Sequence, residues 1–106
     1  MYLEDMLEFC GDVLAYTAGH DGEALQRDSM RLDATLRKLS LIGEAATRVP
    51  EVIRDKAPDV PWRRIVAARN RVMHAYQGID ISAVWSMVSR DIPALQAALR
   101  ALLQRL

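Results

Sequence analysis

The chain has one cysteine, Cys10, and two histidines, His20 and His74. A lone thiol cannot close an internal disulfide, so a reduced, cytoplasmic setting is the default expectation and the fold must rest on its core. Two histidines far apart in the chain and one cysteine offer no zinc-ligand spacing, and neither a metal site nor a cofactor is expected. No Gly-rich phosphate loop is present, which removes a nucleotide-binding ATPase from consideration. No apolar run approaches the roughly 18 residues that a membrane span requires. The opening Met1-Tyr2-Leu3-Glu4-Asp5 carries no basic stretch ahead of an apolar one, so a signal peptide is not expected. Strand-like alternation bounded by turn residues is missing as well, and so are internal repeats and low-complexity tracts.

What remains is an ordinary globular composition over 106 residues, 51% apolar and 26% charged. That is the length of a single domain, 1–106, able to bury one core. The formal net charge is zero but unevenly spread. Residues 1–53 hold ten acids against five Lys or Arg, and residues 54–106 hold four acids against nine. The basic half either faces an anionic partner or pairs with the acidic half in the fold or in an oligomer, and charge alone favours the second.

Apolar residues recur at helical spacing almost throughout. Leu3, Met6, Leu7, Cys10, Val13 and Leu14 predict a helix over 2–17, ended at Gly19 and Gly22, with Asp21 capping a short piece at 22–27. Leu32, Leu36, Leu39, Gly43 and Ala46 predict a long helix over 30–49, capped by Asp28 or Ser29. Pro50 ends it, a helical turn near 51–56 follows, and Pro58 and Pro61 make a connector. A third helix should run from Pro61 or Trp62 to His74. Asp80 should cap a last helix over 81–105, with the stripe Val84, Val88, Ile92, Leu95, Leu99, Leu102 and Leu106, and Pro93 should kink or break it. The expected fold is an all-α, up-and-down bundle of about four main helices. The last stripe exceeds what one small bundle needs, from which a homodimer is inferred.

Residues 61–79 stand apart, with four arginines, no acid and one of the two histidines. Asn70 and His74 are four apart and share a helix face. Arg69 and His74 are five apart, roughly 140° around at about 100° per residue. They converge if the helix ends at His74 and its side chain turns back. Cleaving RNA without a metal needs a base for the 2′-hydroxyl proton, an acid for the leaving oxygen and a fixed cation for the phosphate. Histidine serves either proton role near neutral pH, and arginine holds phosphate through paired hydrogen bonds. Asparagine can orient an imidazole or a phosphate oxygen. By chemistry alone, an Arg and a His so placed are more often surface or capping residues.

The run Arg69-Asn70-xxx-His74-x-Tyr76 resembles the hallmark of the HEPN superfamily, and the trailing tyrosine resembles its HepT branch. Tyr2-Leu3-Glu4-Asp5-Met6-Leu7, Leu41-Ile42-Gly43-Glu44-Ala45-Ala46, Val60-Pro61-Trp62-Arg63 and Gly78-Ile79-Asp80 with Val84-Trp85 resemble further segments of that family, in order. The resemblance implies a small helical bundle that dimerises, with two motif helices forming one RNA-cleaving cleft. It implies a metal-independent endoribonuclease toxin, silenced by a minimal nucleotidyltransferase antitoxin that in some systems adds AMP to the motif tyrosine. Arg69 and His74 would be catalytic, Asn70 would support them, and Tyr76 would be the modified residue. Apart from the resemblance, Arg71 is assigned at most an RNA phosphate contact, and of Arg63 and Arg64 one should face solvent while the other, taken as Arg64, touches RNA phosphate or an acidic antitoxin; AMP on Tyr76 would lie beside a cluster of Arg63, Arg64, Arg69 and Arg71. A second reading within the same family is a noncatalytic HEPN module that partners a nucleotidyltransferase.

Glu44 is either a partner for a motif arginine or a structural polar contact. Gly43 should permit close helix approach, because a mid-helix glycine costs about 1 kcal/mol against alanine. His20 reads as a loop residue. Trp62 and Trp85 read as core or dimer anchors ahead of base-stacking platforms.

Overall fold

The structure, a computed structural model, describes the backbone of residues 2–74 and 80–106 and the side chains of 2–71 and 80–106. It is an all-α bundle, with no strand among the described residues. The helices are α1 (Tyr2–Thr17), α2 (Gly22–Arg27), α3 (Ser29–Thr47), α4 (Glu51–Arg54), α5 (Trp62–His74), α6 (Ile81–Ser86) and α7 (Ile92–Arg105). A wide π-helical turn, Met87–Asp91, joins α6 to α7.

Short polar side chains set the helix starts, by satisfying N–H groups that have no intrahelical acceptor. The Ala24 amide donates to Asp21 Oδ1 at 2.8 Å, the Arg31 amide to Asp28 Oδ1 at 3.2 Å, and the Ala83 amide to Asp80 Oδ1 at 3.2 Å. Asp28, and not Ser29, is thus the cap of α3. Arg31 Nη1 donates to the Tyr16 carbonyl at 2.6 Å, which ties the start of α3 to the end of α1.

The apolar stripes meet in one core. Helix α1 packs on both α3 and α7, and α3 packs on α5. Met6, Cys10 and Val13 of α1 are fully buried, as are Leu36 and Ala46 of α3 and Leu99 and Leu102 of α7. The start of α5 is locked into this core. Trp62 is buried and its Nε1 donates to the Ala57 carbonyl at 3.1 Å. The Arg54 guanidinium lies 5.7 Å from the Trp62 ring centroid and donates to the Ala46 and Val49 carbonyls, capping the end of α3. Trp62 is therefore a core residue.

Two expectations for the last helix need amendment. Pro93 does not break it. The Ile92 amide donates five residues back to Met87, and the widened turn gives room to the proline ring, which cannot donate and would crowd a regular turn. Nor is its apolar stripe in surplus. Val84, Val88, Ile92, Leu95, Leu99 and Leu102 are all buried within this one chain, and only Leu106, at 54%, is exposed. The bundle consumes the stripe, so a homodimer does not follow from it.

Candidate active site

The site is organised where α3 crosses α5. Gly43 is buried in α3, and a Cβ built there would lie 3.2 Å from Arg69 Cα and 3.1 Å from Arg69 Cγ, with Arg69 Cβ closer still. Ordinary carbon contacts are about 3.5–4.0 Å. Only glycine lets the two backbones approach this closely, and the approach is centred on Arg69. The next residue along α3, Glu44, brings its carboxylate to the same place. Glu44 Oε2 pairs with Arg69 Nη2 at 2.9 Å, and Glu44 Oε1 meets Arg48 Nη2 at 3.4 Å.

Arg69 is 30% exposed and Glu44 40%, so the pair is partly sheltered and still reachable from solvent. A guanidinium has five N–H donors. The Glu44 contact engages one of its nitrogens and fixes its direction, which leaves donors for a phosphate. Asn70 is exposed one residue further along α5. His74 is the last described backbone position of α5; its side chain lies outside the described residues, as does Tyr76, and with them the expected helix end and the convergence of His74 on Arg69.

The remaining motif-helix arginines do not join Arg69. Arg64 and Arg71 are seven residues apart and share one helix face, whereas Arg69 is roughly 140–160° away from both at about 100° per residue. They line a separate hollow together with residues of α6 and the π turn. There Arg64 Nη2 pairs with Asp91 Oδ1 at 2.9 Å, while Arg71 is exposed. Arg63 is also exposed. One cluster of four arginines, as read from the linear sequence, is thus corrected to two faces of a helix. Arg63 and Arg64 also lie in the first turn of α5, where helix-dipole charge disfavours cations and where the helix carries no acid. Asp91 compensates Arg64 from across the groove. Sequence reading missed Asp91, because its pairing depends on the register between α5 and the π turn, for which no local pattern exists.

Trp85 is partly buried and packs against Gly22, where an added Cβ would sit 3.3 Å from its Cβ and Cγ. His20 lies in the turn after α1, its Nδ1 donating to the Ala18 carbonyl at 3.1 Å. Among the described residues no group of three or more His, Cys, Asp or Glu is arranged to hold a metal ion. None of their helices is long and apolar enough to cross a membrane.

The family model described as "Ribonuclease HepT-like" matches residues 6–102. The chain belongs to the HepT-like ribonuclease family. A relative from Methanocaldococcus jannaschii, named a "Putative RNase", is 36% identical over 95 residues, covering 90% of this chain and 87% of its own. Another, the "Probable ribonuclease HepT" of Thermococcus cleftensis, is 34% identical over 95 residues, 90% of this chain and 86% of its own. A third, also named a "Putative RNase", from Caldanaerobacter subterraneus subsp. tengcongensis, is 31% identical over 104 residues, 98% of this chain and 93% of its own. No solved structure matches the chain. The HepT-like match spans Gly43, Glu44, Arg69, Asn70, His74 and Tyr76, the residues on which the motif reading rests.

Proposed function

We propose that this HepT-like protein is a metal-independent endoribonuclease toxin. The observation that carries the proposal is the placement of Arg69. The arginine of the motif helix is seated against Gly43 and held by Glu44 while remaining accessible. A cation fixed in advance stabilises developing phosphate charge without reorganising during the reaction.

In this reading the 2′-oxygen of RNA attacks the adjacent phosphorus as the P–O5′ bond breaks, leaving a cyclic phosphate on one product and a 5′-hydroxyl on the other. His74 moves the protons, taking one from the 2′-hydroxyl or giving one to the departing 5′-oxygen. Arg69 holds a non-bridging phosphate oxygen, and Asn70 orients the imidazole or the phosphate. A second copy of the chain supplies the other His74, so that a base and an acid are both present in one dimeric cleft. The partner in the cell is a minimal nucleotidyltransferase antitoxin. It transfers AMP from ATP to the Tyr76 hydroxyl with release of pyrophosphate, which places a bulky anion two residues from His74.

The test is RNA cleavage by purified protein in EDTA, beside growth arrest on expression. Wild type should cleave and arrest growth. Arg69→Ala and His74→Ala should each lose at least about 10²-fold in cleavage while remaining folded. Tyr76→Phe should keep toxicity and take up no AMP from a co-expressed minimal nucleotidyltransferase. Wild-type cleavage rates in both alanine variants would remove the site assignment. A folded, dimeric wild type that binds the transferase but never cuts RNA would establish the noncatalytic module instead.

A further inference from the structure

The face of α5 that turns away from Arg69 forms one wall of a groove of about 420 Å³, closed opposite by α6 and the π turn. Arg64 and Arg71 stand on this wall, seven residues and therefore roughly 10 Å apart along the helix. Ser82 and Ser86 of α6 line the other wall with hydroxyls four residues apart. Two acids also line the groove, and both are engaged. Asp80 caps α6 through Oδ1, and Asp91 pairs with Arg64. Arg71 is exposed and has no acidic partner among the described residues. Among the described residues the groove is thus formally neutral, two arginines against two carboxylates, and it offers one cation outside any ion pair, one exchangeable cation and two hydroxyls.

We infer that this groove is a second RNA-phosphate site, in which Arg71 binds one phosphate directly and Asp91 occupies Arg64 in place of another until RNA displaces it. A carboxylate and a phosphate oxygen make the same charge-assisted bond to a guanidinium. Arg64 is 66% exposed, so the exchange requires no rearrangement of the core. The groove has the volume of a small-ligand pocket. Its serines can bond to non-bridging oxygens or to 2′-hydroxyls. It lies on the helix that bears Arg69, so a strand cut at Arg69 can continue around α5 into it. The inference rests on the ribonuclease reading. It adds Asp91, on the π turn, as the residue that sets how tightly the strand is held.

The experiment measures binding of a short unstructured oligoribonucleotide whose 2′-O-methyl groups remove the attacking hydroxyl, using the full chain across a salt series. Arg71→Ala should weaken binding about tenfold at moderate salt and lower the slope of log K against log salt by about 0.7, the value of one single-strand phosphate contact. Arg71→Lys should restore the slope. Asp91→Asn should tighten binding several-fold, and Arg64→Ala should cost more affinity in the Asp91→Asn background than alone. Melting curves establish that each variant is folded. A merely structural Arg64–Asp91 pair would lower the melting temperature in Asp91→Asn without tightening RNA binding, and that result overturns the inference. So does an Arg71→Ala variant with wild-type affinity and slope. Cleavage of unmodified RNA by the same wild-type preparation separates the two readings. Cleavage without any groove effect defeats this site alone, groove effects without cleavage defeat the catalytic reading alone, and a wild type that neither binds nor cuts defeats both.

Discussion

Replacing Gly43 with alanine puts the smallest possible side chain where α3 meets α5. In an unobstructed helix the change would be favourable, by about 1 kcal/mol of helix propensity. At this crossing the new methyl would lie 3.2 Å from Arg69 Cα, and nearer to Arg69 Cβ, against an ordinary contact of about 3.5–4.0 Å. Neither atom belongs to a flexible side-chain end, so the helices themselves must part, by on the order of 1 Å. Overpacking of this kind costs about 1–3 kcal/mol. The two effects oppose each other, and the net loss of stability should be about 0–2 kcal/mol, with a melting temperature lowered by no more than roughly 15 °C. Activity should fall further than stability, because displacement of a positioned group by about 1 Å can cost on the order of 10²-fold. The assay pairs thermal melting with RNA cleavage at a temperature where both proteins are folded. Gly11→Ala is the control, since an added Cβ there meets no heavy atom within 4 Å, and it should stabilise α1 by about 0.5–1 kcal/mol. A Gly43→Ala protein that is as active as wild type and gains stability as Gly11→Ala does would refute the argument that this crossing seats Arg69.

Glu44→Gln keeps the shape of the side chain but removes the charge that directs Arg69; cleavage should fall about tenfold or more, whereas Arg48→Ala, which removes only the longer 3.4 Å contact on the same carboxylate, should stay within about twofold of wild type. Equal losses in the two variants would show that Glu44 acts through general charge balance and not through Arg69. Burial pushes the Cys10 thiol up to about 12, so native protein should resist alkylation at mildly alkaline pH and become labelled only on unfolding. The same shift fixes a sign for stability. The folded state disfavours the thiolate, so stability should decline as pH rises above the ordinary thiol range near 9 towards 12, and Cys10→Ser should reduce that dependence. Rapid labelling of folded protein at neutral pH would contradict the burial on which both expectations depend.

The helices were legible because their signals are local. Asp21, Asp28 and Asp80 cap helices three residues before the amides they bind, and each could be found by scanning a single strand of text. Periodicity located the core in the same way, since Met6, Cys10, Val13, Leu36 and Leu99 all fall at helical spacing on buried faces. The last helix shows where that reasoning stops. A stripe reports how much apolar surface must be covered, but not which chain covers it. Here α1 packs on α7 from within the protomer, so the residues that suggested a second copy are already used. Pro93 exposes a similar limit. Its missing N–H and bulky ring were legible, but whether a helix breaks or widens depends on the cost of exposing Val88, Ile92 and Leu95, which continuing the helix keeps buried.

The candidate site divides along the same line. Gly43 and Glu44 lie 26 and 25 residues before Arg69, and nothing in their own neighbourhood states that they meet it. A glycine in the middle of a helix does signal that some cost of about 1 kcal/mol is being offset, and the offset is the close approach of the motif helix. That approach has a consequence for charge. By bringing the α3 backbone against Arg69, Gly43 places the Glu44 carboxylate 2.9 Å from the guanidinium, so a packing choice at one residue becomes an electrostatic constraint at the next. Arg64 and Asp91 repeat the logic on the opposite face, where the π turn sets the register and no glycine is involved. In both cases the arginine belongs to the motif helix and its carboxylate partner to a different element. Each pair is therefore sensitive to how α5 is seated in the bundle, and a change that shifts α5 as a body should loosen both contacts together while leaving the sequence of the motif intact.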